Sequence, residues 1–596
     1  MSGLDNPLFD DREIDFQLYD VHGAAELAEL PDFSEHSRET FDLILGEARK
    51  LARSALWPTY RQLDLEPPVF ENGRVRVHSK MRDLFRKLIG SGLVTAPRGP
   101  EVGGQHLPLL VDTAAQAYLC AANLGAASYV ILCRGTGHLI EAFGNEQLKR
   151  DFMEPLYRGE WTGTMALTEP QAGSSLADLT TSARPAGDGT YRVRGGKIFI
   201  SGGDHDLTEN IVHLVLARIE GAPPGTKGIS LFAIPRLRRD PSGKLVPNDV
   251  AVAGMVHKIG WRALPSLIMS FGEQDDCHGW LVGEPHQGLS YMFQMMNEAR
   301  IGVGLAASAT SSAAYREALA YARTRTQGRP LGARGGAQVP IIEHADVRRM
   351  LLRQKAIAEG SMSLVFATAR YADVATHGAT PEQRERAQAL LDLLTPITKT
   401  FPAEKGFEAT ALAVQVHGGY GYSSEYLPEA WLRDQKLNTI HEGTTGIQGL
   451  DLLGRKVMAR GGASFQLLAA EIEGAIGQAR AAGAELSELA DLQARALERV
   501  TETTMRLGAM GMAGQAEAMM RHSADYLDMA STLVVGWQWL QQATAAARKP
   551  DSGALRAGKL QAARYFLRTE LPSIEQLSAL CTSAEDSFAA MQDEWF

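Results

Sequence analysis

The feature that most restricts this chain is a change in apolar spacing that happens twice. From about Ser37 to Tyr157, apolar residues recur at intervals of three and four, in FDLILGEARKLARSALWPTY, KMRDLFRKLIGSGL and LVDTAAQAYLCAANLGAASYVILC. That is the pattern of helices with one buried stripe. From Trp161 to about Pro285 it gives way to short β-branched or alternating runs, YRVRGGKIFISGG, NIVHLVLARI, GISLFAIP and SLIMSFGE, punctuated by glycine and proline. Antiparallel strands are expected there. Helical spacing returns from Gly288 to about Val457, and a Gly-rich link, Arg460-Gly461-Gly462-Ala463, leads into an Ala-rich tail with three or four further helices. A helix-period pattern does not bury its stripe as a strand, nor the reverse. The expected fold class is therefore mainly α with a central β domain. Expected boundaries are 1–36 for an N-terminal extension, 37–160 for a helical domain, 161–285 for the β domain, 286–460 for a helical bundle and 461–596 for an extra helical domain. No fixed-period repeat suggests a solenoid.

At 596 residues the chain should hold three or four domains of about 150 residues each. A formal net charge of -10 argues against a nucleic-acid binder, which would carry a basic stripe. The four cysteines, Cys120, Cys133, Cys277 and Cys581, form no CxxC pair, and no His/Cys cluster has zinc spacing. A reducing compartment without structural disulfides or a bound metal is expected. The first residues, MSGLDNPLFDDREIDF, are acidic and lack an apolar segment, so no secretory leader is expected. No run is expected to reach the ~20 apolar residues that span a membrane. The expected location is cytoplasmic.

No GxGxxG follows a strand and no Walker-type lysine loop is present, which leaves dinucleotide and P-loop folds without support. The run Lys436-Leu437-Asn438-Thr439-Ile440-His441-Glu442-Gly443-Thr444-Thr445-Gly446-Ile447-Gln448 isolates one carboxylate, Glu442, among uncharged neighbours. Glycine and two threonines beside it let the backbone approach a ligand and offer donors. A poorly hydrated carboxylate has raised proton affinity, which suits a base acting next to a carbonyl. The plain alternative is a helix cap or an ion pair with Arg433 or Lys436.

Five other segments carry groups suited to contact a ligand. Thr168-Glu169-Pro170 with Ala172-Gly173-Ser174-Ser175 puts hydroxyls and amides on a turn, suited to a polar ring edge or a pyrophosphate. Lys197-Ile198-Phe199-Ile200-Ser201 places an aromatic and a hydroxyl two apart on one face of a strand. Asn297-Glu298-Ala299-Arg300 and Tyr321 to Pro330 read as helical, with Arg323 and Arg329 solvated. Gln415-Val416-His417-Gly418-Gly419-Tyr420 reads as a helix end and glycine turn, with His417 structural and His441 ambiguous.

Together TEPQAGS, KIFIS, the R-x-Q-G-x-P segment, QVHGGYGY and RD…IHEGTTGIQ occur in the order and spacing of the acyl-CoA dehydrogenase family, which the chain resembles over about Phe41 to Met458. Its length and tail are similar to the long subfamily that includes 3-methylthiopropionyl-CoA dehydrogenases and some bacterial fatty-acyl-CoA dehydrogenases. The resemblance implies an N-terminal helical domain, a middle β-barrel-like domain, a C-terminal four-helix bundle and here an additional C-terminal helical domain. It also implies FAD held between domains and across a homodimer interface, an acyl-CoA substrate, an electron-transfer flavoprotein as electron acceptor, and a place in fatty acid β-oxidation. By the same resemblance Glu442 matches the base, Gly443 the backbone near the thioester, Arg300 a substrate-side arginine and Ser174 a contact to the ligand's phosphate or pantetheine. Met165, Leu167, Thr168, Gly173, Phe199 and Ser201 match positions around the flavin. Arg325, Gln327, Gln415, Gly418, Gly419 and Thr444 match positions that grip the ribityl, pyrophosphate and adenosine portions.

There are departures from the family pattern. Ser175 replaces an Asp, Phe199 and Ser201 replace Trp and Thr, Gly328 stands where an aromatic is usual, and His441 where Tyr is common. Gly446 stands where a polar residue can help hold the cofactor. Some relatives carry the base directly before the helix arginine. Here that slot is Ala299, and Glu298 lies about 100° round the helix from it, so Glu442 is favoured. The expected reaction is α,β-dehydrogenation of the thioester to the trans-2-enoyl-CoA. Alternatives on the same scaffold are an acyl-CoA oxidase, a flavin monooxygenase or a non-enzymatic nucleic-acid-associated relative.

Overall fold

The computed structural model describes residues 6–549, 553–583 and 585–596, without the side chains of 294–296. The chain forms two compact units, one of Leu43–Leu107 and Tyr118–Ala299, the other of Met1–Asp42, Pro108–Ala117 and Arg300–Phe596. The helices α1 (Arg38–Leu51), α2 (Lys80–Gly90) and α3 (Leu109–Phe143) fall in the stretch where helical spacing predicts them. One hairpin interrupts that stretch, Val69–Glu71 with Arg74–Arg76. Its turn is Asn72-Gly73, both at positive φ (52° and 74°), the Asn-Gly chemistry of a tight hairpin.

The α3 helix corrects one expectation. It is long and apolar enough to cross a membrane by length and composition, with mean hydropathy 1.3, but 83% of that window is buried inside the protein. A core helix passes the same test as a membrane span. Asn123 breaks its regularity with φ -165° and ψ 86°, and its side-chain oxygen accepts from the Ala126 amide at 3.1 Å.

The main sheet of the β domain has eight strands, β1 (Trp161–Ala166), β2 (Ser182–Pro185), β3 (Tyr191–Ser201), β4 (Asn210–Ile219), β5 (Ile229–Pro235), β6 (Val250–Val256), β7 (Ser266–Phe271) and β8 (His278–Leu281), and Leu237–Arg239 pairs with Leu245–Pro247 in a separate hairpin. The order in the main sheet is β6-β7-β3-β8-β5-β4-β1, with β2 joining β3 and β4. Mixed pairing occurs, since β1 and β2 each run parallel to β4. Val193, Val215, Phe232, Ile234, Leu267 and Phe271 fill its core. Between β3 and β7 the register slips: Ile200 faces Leu267, but Lys197 faces Met269, so β3 carries one extra residue. The simple alternation expected for Phe199 and Ser201 is replaced there by a bulge.

In the other unit the main helices are α4 (Gly288–Thr324, of which Arg300 onward belongs here), α5 (Ala345–His377), α6 (Pro381–His417), α7 (Pro428–Leu437) and α8 (Thr445–Asp451). Thr380 and Gln383 form a reciprocal capping box at the start of α6. Pro396 and Pro402 sit inside α6. Pro402 has no N–H for the Thr398 carbonyl four residues back, and α4 meets that carbonyl with a glycine. A Cβ at Gly304 would lie 2.2 Å from the Thr398 oxygen.

The tail folds as α9 (Ala463–Ala481), α10 (Ala484–Met512), α11 (Ser523–Ala547), α12 (Gly553–Tyr565) and α13 (Ser573–Ser583). That is more helix than the alanine-rich spacing announces, because alanine gives no periodic contrast and Gly483, at φ 125°, marks the first break. The tail shares one core with the bundle: Leu364, Leu393 and Phe401 pack with Leu533, Trp539 and Phe566. Trp539 donates its indole N–H to the Ala356 carbonyl at 3.0 Å. Fully buried Lys559 donates to Glu359 (2.8 Å), Gln542 (2.7 Å) and Glu13.

Candidate active site

Glu442 lies in the short loop between α7 and α8. The α7 helix unwinds as Ile440 and His441 both donate to the Leu437 carbonyl. Two left-handed residues follow, Glu442 at φ 54° and Gly443 at φ 91°. Thr444 then caps α8 in extended conformation. A left-handed glutamate is strained by about 1–2 kcal/mol, so something must hold it. Fully buried Gln448 does so, donating from Nε2 to the Glu442 carbonyl at 2.9 Å and toward the Gly443 carbonyl at 3.4 Å. Gly443 has no room for more, because a Cβ there would come within 2.6 Å of that amide nitrogen.

The Glu442 side chain is accessible at the surface yet crowded by protein atoms. This desolvation pushes its carboxyl above the usual carboxylate range, opposed by the charges of Arg300 and Lys399. The plain alternative partners are engaged elsewhere: Arg433 donates to Glu429 at 2.7 Å and the Lys436 ammonium lies 5.0 Å over the Phe407 ring. Arg300 is buried and donates to Asp451 at 2.7 Å. Arg455 grips the other oxygen of Asp451 at 2.6 Å. Burial pushes Asp451 up, but the hydrogen bonds and charges of the two arginines outweigh it and hold the carboxyl below its ordinary value.

Glu298, the rival base, lies 3.0 Å from His138 Nδ1. Crowding raises its proton affinity, but that bond and the charges of His138, Arg134 and Arg98 bring it below the ordinary value. It is a hydrogen-bonded carboxylate rather than a poised base.

In the β domain the turn after β1 is closed by mutual backbone bonds between Glu169 and Ala172, both 3.0 Å. Glu169 is buried and pairs with the fully buried Lys197 at 2.8 Å, while accepting from the amides of Thr180 (2.7 Å) and Thr181 (3.0 Å). Desolvation lowers Lys197 to about 8, with Glu169 opposing. This pair, together with the Ile198 amide on the Thr168 carbonyl at 2.9 Å, ties the Thr168-to-Ser174 turn to β3. Met165, Leu167, Thr168 and Ser201 are half-buried, and Gly173 and Ser174 are exposed. Phe199 is 58% exposed and held at φ 62°. An aromatic that is both bare and strained is a candidate ligand contact.

Arg325 and Gln327 are not helical as expected. The α4 helix stops at Thr324, because Gly328 turns to φ 69° and Pro330 follows. Their loop pairs with 339–341 instead, Gln327 N–H donating to Val339 at 3.0 Å. The structure does bring this loop to the end of α6: Tyr321 stacks on His417 at 4.3 Å, and Arg325 lies 5.9 Å over the Tyr420 ring. His417 is structural, its Nδ1 on the Ala413 carbonyl at 2.8 Å. Gln415, Gly418, Gly419 and Thr444 are exposed, and an added Cβ at either glycine would meet nothing within 4 Å.

Sequence reasoning gave no role to Gln448, Asp451 or Lys399. The one available signal was Lys399 itself, a lone charge in LLTPITKTFPA. It is fully buried, and its Nζ has no hydrogen-bond partner among the described residues.

In the β domain, a bare aromatic and hydroxyls on a pinned turn suit a flat conjugated ring. Comparison with known proteins says which one. Residues 38–160, 164–272 and 286–458 match the family descriptions "Acyl-CoA dehydrogenase, N-terminal domain", "middle domain" and "C-terminal domain", and 468–592 match "Acetyl-CoA dehydrogenase C-terminal like". A 3-methylmercaptopropionyl-CoA dehydrogenase of Ruegeria pomeroyi is 36% identical over 97% of this chain and 98% of its own. Caenorhabditis elegans ACDH-11, solved in complex with C11-CoA, superimposes with a TM-score of 0.76 at 20% identity, covering 95% of this chain and 94% of that one. An acyl-CoA dehydrogenase from Bacillus anthracis complexed with FAD gives 0.75 at 21%, covering 95% and 91%. With nearly all of its length so matched, the chain belongs to the acyl-CoA dehydrogenase family, and its cofactor is FAD.

Proposed function

We propose that the protein converts an acyl-CoA thioester to its trans-2-enoyl-CoA with Glu442 as the base that removes the α-proton. The observation that carries this reading is a carboxylate that is accessible, desolvated and held in a strained backbone by Gln448. A raised proton affinity matches a weakly acidic C–H better than an ordinary carboxylate does. Bound FAD supplies the acceptor for the β-hydride. The chain's own residues hold and aim the reactants: Gly443 leaves the backbone open beside the base, Arg300 is fixed through Asp451, and Phe199, Thr168 and Ser201 offer an aromatic face and hydroxyls to the cofactor. Electrons pass on to an electron-transfer flavoprotein and the enzyme works in β-oxidation as a homodimer, readings supported by family membership, while the proposed cytoplasmic location rests on the cysteine usage alone.

Glu442→Gln tests the assignment. The variant should retain yellow FAD and bind acyl-CoA, yet lose anaerobic flavin bleaching by at least the ~10²-fold typical of a missing general base. Near-normal bleaching defeats it. A panel of CoA thioesters from three to sixteen carbons, including branched and sulfur-containing ones, identifies the substrate. Rapid peroxide formation in air without an added acceptor would favour the oxidase reading.

A further inference from the structure

Lys399 has no task in the reaction just described, and its setting is unlike that of the other buried lysines. Lys197 is paired with Glu169, and Lys559 with Glu359, Gln542 and Glu13. Lys399 is 0% exposed and its Nζ finds no hydrogen-bond partner among the described residues. Burying an ammonium without such a partner costs stability, so packing does not explain its presence. Costs of this kind are retained where a site needs them.

The backbone fixes where Lys399 sits. The preceding residue, Thr398, presents its carbonyl to Gly304 of α4, and Arg300 is one helical turn before Gly304 on the same face. The charges that act on Lys399 are those of Glu404 from its own helix, Glu442 from the loop before α8, and Arg300 from α4. Other ion pairs of α6 close elsewhere, Lys405 with Asp528 and Arg353 with Glu408. Glu404 also accepts the Thr445 hydroxyl. Two cations thus act on Glu442, but the charge of Arg300 is already met by Asp451 at 2.7 Å. The positive charge left without a bonded carboxylate is that of Lys399.

We propose that Lys399 is a positioning residue whose positive charge, held without a hydrogen-bonded partner, keeps Glu442 ionised and able to accept the substrate proton. The proposal rests on Glu442 being the base. Desolvation alone would drive Glu442 toward its protonated, inactive form, and a nearby cation in a poorly hydrated setting opposes this without touching the substrate. Burial brings Lys399 down to about 8, with Glu404 and Glu442 opposing. The ammonium is therefore present at neutral pH, and its hold on Glu442 weakens on the alkaline side.

The test compares the pH dependence of kcat/KM and the Tm of the FAD-loaded enzyme for wild type, Lys399→Met, Lys399→Gln and Lys399→Arg. Loss of the charge should move the acid limb up by about one pH unit, while Tm stays level or rises because an unpartnered buried charge has gone. Lys399→Arg should return the limb toward wild type. An unmoved acid limb in a folded neutral variant overturns the proposal. So does a fall in Tm with activity lost equally at every pH, or failure of both neutral variants to fold. If Glu442→Gln keeps its bleaching, the base assignment fails instead, a result the lysine variants do not mimic.

Discussion

Replacing Gln448 by leucine keeps the side-chain volume near that of the native residue and removes only the amide that clamps the loop. The native Nε2 makes one full hydrogen bond to the Glu442 carbonyl, 2.9 Å, and a marginal one to Gly443, 3.4 Å. Losing the first leaves a carbonyl without its donor, at about 1–3 kcal/mol. The left-handed Glu442 stores about 1–2 kcal/mol of strain that this bond opposes. Strain and restraint are of similar size, so the variant loop should relax away from its native geometry and Glu442 with it. A loss of about 1–3 kcal/mol at the reacting geometry is a roughly 5- to 150-fold slower reaction. Anaerobic stopped-flow bleaching at saturating acyl-CoA reads it directly, with FAD content taken from the visible spectrum. A folded, FAD-loaded Gln448→Leu that bleaches within twofold of wild type refutes the clamp.

Two further expectations concern stability. Lys559→Met takes from buried Glu13 its ion-pair partner, while Glu359 keeps Lys355, and breaking a buried pair in this way typically costs about 3–5 kcal/mol. Tm should then fall by roughly 5 °C or more, and a melt within 2 °C of wild type would count against the pairing. Asp373 accepts the Leu109 and Leu110 amides while buried, and burial pushes its carboxyl up to about 7. The folded state thus binds this proton more tightly than the unfolded chain. Its contribution is full below the ordinary value of 3.8 and is lost as pH rises toward 7. Asp373→Asn should flatten the fall in Tm between pH 4 and 7, and parallel melting profiles would contradict this.

The helix–sheet–helix order was legible because it is written in local period, as was Glu442 as an isolated carboxylate. What escaped depends on pairs distant in sequence. Arg300 and Asp451 are 151 residues apart, and no local pattern announces that one fixes the other. Lys399 went unremarked although it is a charge in an apolar run, and its relation to Glu442 exists only once α6 and the following loop are folded. The Tyr321–Pro330 segment continued the helical spacing, yet Gly328 and Pro330 stopped it at Thr324, a case of turn chemistry overriding periodicity. Phe199 was singled out for its chemistry, and its bulged backbone was invisible because the extra residue appears only when β3 is laid against β7.

The merging of the tail with the bundle has a practical consequence for anyone shortening this protein. Stopping the chain after Met458 would remove Trp539 from Ala356 and Gln538 from Ser363, and would lay bare the apolar flank that includes Leu364, Leu393 and Phe401. In this protein the last quarter is wall rather than annex, and a trimmed version is expected in the insoluble fraction.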